Sequence, residues 1–304
     1  MRELLVIVVT FNAMPWIDKC LKSVLTSSIN ADLFIIDNGS QDGTIEHIKT
    51  QYPQVIFKQS SINLGFGKAN NIGLQYAIEK DYAYIYLLNQ DAWVEHNTFK
   101  SLIKESRNNP EYGILSPLQV QANRKKLDEN FITGVLSYES CPSILSDALI
   151  GSLHNLYSVK DVMAAHWLIT RECLLRIGGF SPSFPHYGED INYAERVTFH
   201  GMKIGIVLNA IGIHDREKRT TTWQKQIYID YIRAIKILSS PFSIPYYKRM
   251  RYSLNIILKD IIKYNSFYPL KYFIRILSDI KNIAHHRNIS IQSKTAFLKN
   301  VQNN

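Results

Sequence analysis

Phe34-Ile35-Ile36-Asp37-Asn38-Gly39-Ser40-Gln41-Asp42-Gly43-Thr44 and Tyr84-Ile85-Tyr86-Leu87-Leu88-Asn89-Gln90-Asp91 share one pattern: an apolar run that stops abruptly in carboxylates and amides. A short apolar run without alternation reads as a strand buried on both faces, as in a parallel sheet. In such sheets ligands sit just past the carboxyl ends of the strands. A lone strand-end Asp often does no more than cap the next helix. Two of them, Asp37 and Asp91, in successive units point to a site for a phosphorylated, metal-bound ligand.

Outward from these stretches the alternation continues. Leu4–Phe11 is another apolar, β-branched run, and Pro15 opens a helix carrying Ile17, Leu21, Val24 and Leu25 at helical spacing. Asp42 is placed to cap a helix containing Ile45 and Ile48. Further strands are expected at 55–58, 82–88, 113–120 and 203–208, and helices at 70–79, 98–106, 171–177 and 191–200. Strands alternating with helices imply βαβ units. Residues 121–160 are poorly patterned and read as loops or short strands. From Trp223 onward Tyr228, Tyr231, Ile232, Ile235 and Leu238 share a helical face, and 247–264 and 270–284 read as amphipathic, basic and aromatic helices. This places a boundary near Asp215.

The 304 residues allow one or two domains with a large core. The net charge of +9 is uneven: residues 216–304 hold 17 of the 35 Lys/Arg but only 4 of the 26 Asp/Glu. A mildly acidic body with a basic tail suggests a polyanionic partner, nucleic acid or anionic lipid. Cys20, Cys141 and Cys173 fit no metal-binding spacing and, being odd in number, no disulfide framework, which suits a reducing cytoplasm. No signal peptide is read at the N-terminus, and no run approaches the ~20 apolar residues that cross a bilayer.

Asn63-Leu64-Gly65-Phe66-Gly67-Lys68-Ala69-Asn70-Asn71 is a Gly-rich turn opening a helix, and helix N-termini favour anions. It fails as a dinucleotide fingerprint: its third glycine position is Asn70, and the turn after the first strand, Asn12-Ala13-Met14-Pro15, lacks glycine. Gly178 through Glu189-Asp190 forms a loop leading into a helix. Paired acids there either cap the helix or supply a general base. His214, just past a strand, is a metal ligand or an ordinary surface histidine. For Trp167, core packing is the ordinary reading.

Taken in order, Val8-Val9-Thr10-Phe11-Asn12, Asp37 to Thr44, Asn63 to Asn71, Leu87-Leu88-Asn89-Gln90-Asp91, and Gly178-Gly179-Phe180 through Glu189-Asp190 to Arg196 resemble the family-2 glycosyltransferases of GT-A fold, particularly rhamnosyltransferase-like bacterial members. The resemblance covers about residues 4–215. It implies an α/β GT-A fold, a Rossmann-like, mostly parallel sheet flanked by helices, with residues 1–92 binding the nucleotide sugar, 93–215 forming the acceptor half, and 216–304 a C-terminal helical extension. It implies Thr10, Phe11, Asn12, Asp37, Asn38, Gly65, Lys68, Asn70, Asn89 and Gln90 around the nucleotide sugar. Asn70 stands where many relatives carry Arg. Mg²⁺ or Mn²⁺ would be held by Asp91 with His214; the family's D-x-D reads here as N-x-D, with Asn89 offering a carbonyl oxygen. Asp190, assisted by Glu189, would be the base of an inverting displacement, and Trp167, His186 and Tyr187 would meet the acceptor. The implied acceptor is a glycan or polyprenyl-diphosphate-linked sugar in bacterial surface polysaccharide synthesis. The basic tail would then lie on the anionic inner face of the membrane, with no nucleic acid as partner. Two other readings compete: a nicotinamide-dependent oxidoreductase, opposed by the missing fingerprint, and a non-catalytic module on a degenerate transferase domain.

Overall fold

The computed structural model describes residues 2–216, 222–242, 244–292 and 294–299. Its centre is a nine-stranded sheet ordered β3-β2-β1-β4-β8-β6-β9-β5, with β7 pairing to β9 beside that path. The strands β1 (Arg2–Thr10), β2 (Asp32–Asp37), β3 (Ile56–Gln59) and β4 (Tyr82–Asn89) are all parallel. The crossovers are α1 (Ile17–Leu25), α2 (Thr44–Gln51) and α3 (Phe66–Glu79). Alternation within β1 explains the layering. Leu5 and Ile7 point into one core with α3, and Leu4, Val6 and Val8 into a second with α1. Helix α1 buries Ile17, Cys20, Leu21 and Val24, one helical stripe. Helix α3 lies so close to β1 that a Cβ on Gly73 would come within 2.7 Å of the Ile7 side chain.

Beyond Asp91 the all-parallel pattern ends. A two-residue turn separates β4 from β5 (Ala92–Val94), too short for the crossover that a parallel neighbour needs. After α4 (Thr98–Asn108) come β6 (Tyr112–Gln121), a π turn at Phe131–Val135, α5 (Ile144–Ile150), β7 (Leu156–Val159), β8 (His166–Thr170), α6 (Arg171–Ile177), α7 (Glu189–Phe199) and β9 (Lys203–His214). Strand β8 is antiparallel to β4 and β6, and β9 is parallel to β6 but antiparallel to β5 and β7. The poorly patterned stretch 121–160 thus holds a π turn, a short helix and a strand.

Helices α8 (Trp223–Ser239), α9 (Tyr246–Tyr264) and α10 (Leu270–Gln292) enclose a third core around Ile227, Tyr231, Ile235, Ile257 and Ile276. The chain then returns to the body. The Thr295 N–H donates to the Leu175 carbonyl (3.1 Å), and the Gly179 N–H to that of Ala296 (2.8 Å). The texture change near residue 215 therefore does not free the C-terminal residues: 294–299 strap the turn after α6.

Candidate active site

The carboxyl ends of β2, β1, β4 and β9 emerge at the same end of the sheet, and their loops build the site. Asp37 ends β2 fully buried. One carboxylate oxygen accepts from the Gly39 and Ser40 amides (both 2.9 Å), and the other from the Thr10 hydroxyl (2.9 Å) and the Ser40 hydroxyl (2.5 Å). Four donors saturate it, so a hydrogen bond from a base or ribose would have to displace one of them. Its visible work is to fold the 38–43 loop. Asn12, at φ +51°, clasps the same loop by accepting from the Gln41 N–H (2.9 Å). Phe11 is half exposed, and its backbone is gripped on both sides by the Gln90 amide, at 2.7 and 3.1 Å. The groups left open at this end of the sheet are thus the Phe11 ring and the loop backbone.

Asn38 is buried and reaches the 64–65 turn with both amide atoms at 3.4 Å. Gly65 needs to be glycine for two reasons: its φ is +79°, and a Cβ would sit 2.6 Å from the Pro185 carbonyl oxygen. That contact brings the 181–188 loop over the start of α3. The expectation for Asn70 is corrected. Helix α3 starts at Phe66, so Asn70 is inside it, buried, donating to the Phe66 carbonyl (3.0 Å). Lys68 is exposed. The neighbouring Asn71, which the motif contained without a role, clamps Phe180 through two hydrogen bonds of 2.7 and 2.9 Å.

Trp167 is also corrected. It is fully buried, donates its indole N–H to the Val162 carbonyl (3.0 Å), and stacks on Phe180. That is core packing, with no face left for a sugar. His186 and Tyr187 sit on the exposed loop before α7, their rings 4.0 Å apart, and Tyr187 approaches Tyr228 of α8.

Asp190 stands in the first turn of α7, partly exposed. Burial, reinforced by the charge of Asp161, raises its carboxyl above the ordinary range despite hydrogen bonds from the Ile191 and Ala164 amides. Ala165, next along, accepts from the Asn89 N–H (3.1 Å). The 164–165 backbone therefore ties Asp190 to the end of β4, where Asn89 and Asp91 lie. Glu189, expected to assist, is instead turned inward: it is 6% exposed, and one of its oxygens has no hydrogen-bond partner. Burial and the adjacent Asp190 push its carboxyl up to about 8.

Asp91 follows β4, and His214 ends β9; the β5–β9 pairing brings them together, with Asp91 Oδ1 3.4 Å from His214 Nε2. Burial alone would raise the Asp91 carboxyl, but His214 and Arg216 outweigh it and hold it below the usual range. Adjacent donors of one ion, each about 2.1 Å from it, lie roughly 3 Å apart, so this oxygen–nitrogen pair fits Mn²⁺ or Mg²⁺. Among the described residues no three His, Cys, Asp or Glu side chains form a complete metal cage. The remaining ligands would have to come from a bound diphosphate and water. Sequence reading missed Asp128 and Arg216, which stand behind His214: Asp128 Oδ2 is 3.1 Å from Arg216 Nε and 3.8 Å from His214 Nδ1. The run Leu127-Asp128-Glu129 carries no signal that could have found the first.

Residues 5–130 match Glycosyl transferase family 2. Over that span the chain is similar to the family-2 glycosyltransferases. The matched span includes Asp37, Asp91 and Asp128, and ends before Asp190 and His214. The transferase is 24% identical over 218 residues to the low-salt glycan biosynthesis hexosyltransferase Agl10 of Haloferax volcanii, covering 70% of this chain and 69% of that one. Solved structures share the fold. S. aureus TarS 1-349 in complex with UDP superposes with a TM-score of 0.54 at 15% identity, covering 96% of this chain and 83% of that one. GalNAc-T7 with UDP, GalNAc and Mn²⁺ superposes with a TM-score of 0.59 at 17% identity, covering 93% and 58%. The GT-A architecture of the transferase, and its being a glycosyltransferase rather than a nicotinamide enzyme, follow from these matches and the sheet order.

Proposed function

We propose that the transferase moves a hexose, by inversion, from a nucleotide-diphosphate sugar to a hydroxyl of a glycan or polyprenyl-diphosphate-linked acceptor in bacterial surface polysaccharide assembly. One observation carries the reading: the Asp91–His214 pair and Asp190 sit at one end of the sheet, joined through Ala164 and Ala165. The hexosyltransferase relative supports the transferred group, and the two UDP-bound neighbours support the donor class. A rhamnosyl donor rests on the sequence resemblance alone.

The chain's own groups divide the work. The Phe11 ring and the 38–43 loop, held by Asp37 and Asn12, cradle the nucleoside. Asp190 withdraws the acceptor proton while the hydroxyl oxygen attacks the anomeric carbon opposite the diphosphate, and one such attack inverts the centre. A divalent ion between Asp91 and His214 would supply positive charge where the leaving diphosphate gains negative charge. His186 and Tyr187 flank the acceptor path. Calorimetry with Mn²⁺ against UDP-, GDP- and dTDP-sugars is expected to show one nucleotide bound well above the others; heat with none of them rejects the donor reading.

The hairpin of α9 and α10 supports docking at an anionic, cytoplasmic membrane face. No helix among the described residues is long and apolar enough to cross a bilayer. Ile262 and Phe267 at the hairpin corner are each 82% exposed, beside Ile274 at 58%. The two helices carry nine Lys/Arg and only two Asp, one of them buried Asp260. Apolar tips within a basic surface suit anionic lipid. Ile262→Asp with Phe267→Asp is expected to weaken binding to vesicles containing anionic lipid by about tenfold or more. Unchanged binding rejects this surface. Truncating the whole tail is a poorer test, because the 294–299 strap pairs with the body at Leu175 and Gly179.

A further inference from the structure

Resting on the metal reading above, we propose that Asp128 is the positioning residue for His214: it accepts the imidazole Nδ1–H when Nε2 turns its lone pair to a divalent ion beside Asp91, taking the place of Arg216.

Asp128 lies in the turn after β6 and is 2% exposed. Its Oδ1 is fixed by the Phe131 N–H (3.0 Å), and its own N–H by the Gln119 carbonyl (3.0 Å), so Oδ2 is held toward His214 and Arg216. Arg216 donates through Nε to that Oδ2 at 3.1 Å and through a terminal nitrogen to His214 Nδ1 at 3.2 Å. A guanidinium only donates, so Nδ1 is the acceptor here and the proton of a neutral ring sits on Nε2, facing Asp91 Oδ1. In that tautomer Nε2 has no lone pair to offer an ion.

Ligation through Nε2 requires the other tautomer, with the proton on Nδ1 and an acceptor for it. Asp128 Oδ2, 3.8 Å away, is the carboxylate placed to accept it. The change is balanced: Nε2 gives up one proton and Nδ1 gains one, through solvent, and the ring stays neutral. A carboxylate behind a ligating histidine fixes tautomer and orientation and raises the ring's basicity. Giving up Nδ1 leaves a terminal N–H of Arg216, 39% exposed in its side chain, at the rim of the same site.

The backbone of His214 is already pinned, so the tautomer is the adjustable part. His166, fully buried, bonds the Ile213 carbonyl through Nε2 (3.1 Å) and pairs its Nδ1 with the Tyr86 hydroxyl (2.9 Å). Gly212 passes so close that a Cβ would lie 2.9 Å from the His166 ring.

The test is Mn²⁺ affinity, read by electron paramagnetic resonance on the full chain with saturating UDP. Asp128→Asn keeps the shape and can still accept from Phe131, but then turns an amide donor toward Nδ1. It is expected to weaken Mn²⁺ binding 10- to 100-fold. In a His214→Ala background the same substitution is expected to change affinity less than about threefold, because its effect passes through the ring. Asp128→Asn binding Mn²⁺ like the wild type, while His214→Ala does not, overturns this proposal alone. A wild type that binds no Mn²⁺ removes the metal reading, and this proposal with it. Should Asp128→Asn fail to fold, Arg216→Gln replaces it: losing the competing donor should leave Mn²⁺ affinity equal or tighter, and a tenfold loss would overturn the proposal.

Discussion

Asp190→Asn is expected to cut transfer by about 10²-fold or more while nucleotide-sugar affinity stays within a few-fold of wild type. The asymmetry follows from position. Asp190 is anchored to the sheet through Ala164 rather than to the 38–43 loop proposed to hold the nucleotide, so its substitution should remove the proposed base and leave the proposed donor cradle intact. Asn preserves size, and its carbonyl oxygen can keep accepting from the Ile191 amide at the helix start (2.8 Å in the wild type). A second signature lies in the pH profile. A base works deprotonated, and burial raises the Asp190 carboxyl, so kcat/KM should fall on the acid side at a pH above the ordinary aspartate range of about 4. The variant's residual rate should lack that limb. Turnover equal to wild type, or a large loss of donor affinity with kcat preserved, rejects Asp190 as the base.

How far the sequence carries such an argument depends on the physical origin of each feature. The first half was legible because its strands are apolar runs between helices, and β1 to β4 pair as the βαβ pattern requires. The second half was not. A strand as short as Ala92–Val94, a π turn at Phe131 and a seven-residue helix at Ile144 have no period long enough to read. Among the site residues, Asp91 stood out at a strand end while His214 gained a role only through the family resemblance, and the β5–β9 register brings the two together. Asp37 was equally conspicuous, yet its carboxylate is consumed by Thr10, Gly39 and Ser40, because a strand-end acid is also what a tight loop needs. Trp167 and Asn70 were misplaced for a common reason: exposure is a tertiary property. An aromatic residue on β8, or an amide one turn into α3, carries no local mark of which side it faces. Asp128 lay outside any pattern, since only the folded chain brings it behind His214.

The inward-facing Glu189 leads to the second large effect: Glu189→Gln should stabilise the protein in alkaline solution. The wild-type carboxyl is buried, lacks a partner for one oxygen, and lies beside Asp190, which together push it up to about 8 from an ordinary 4.5. A group whose folded value lies above its unfolded one binds its proton more tightly when folded. Its contribution is therefore fully present below about pH 4.5, declines as pH rises, and is lost once pH passes about 8. Gln has the same shape and no proton to lose. The stability difference between variant and wild type should open between these limits and level off above them, with a ceiling of about 5 kcal/mol if the whole displacement is realised and on the order of 2 kcal/mol if Asp190 relaxes. Urea unfolding at pH 5 and pH 9 measures it directly, and parallel pH dependences for the two proteins would show that Glu189 ionises freely.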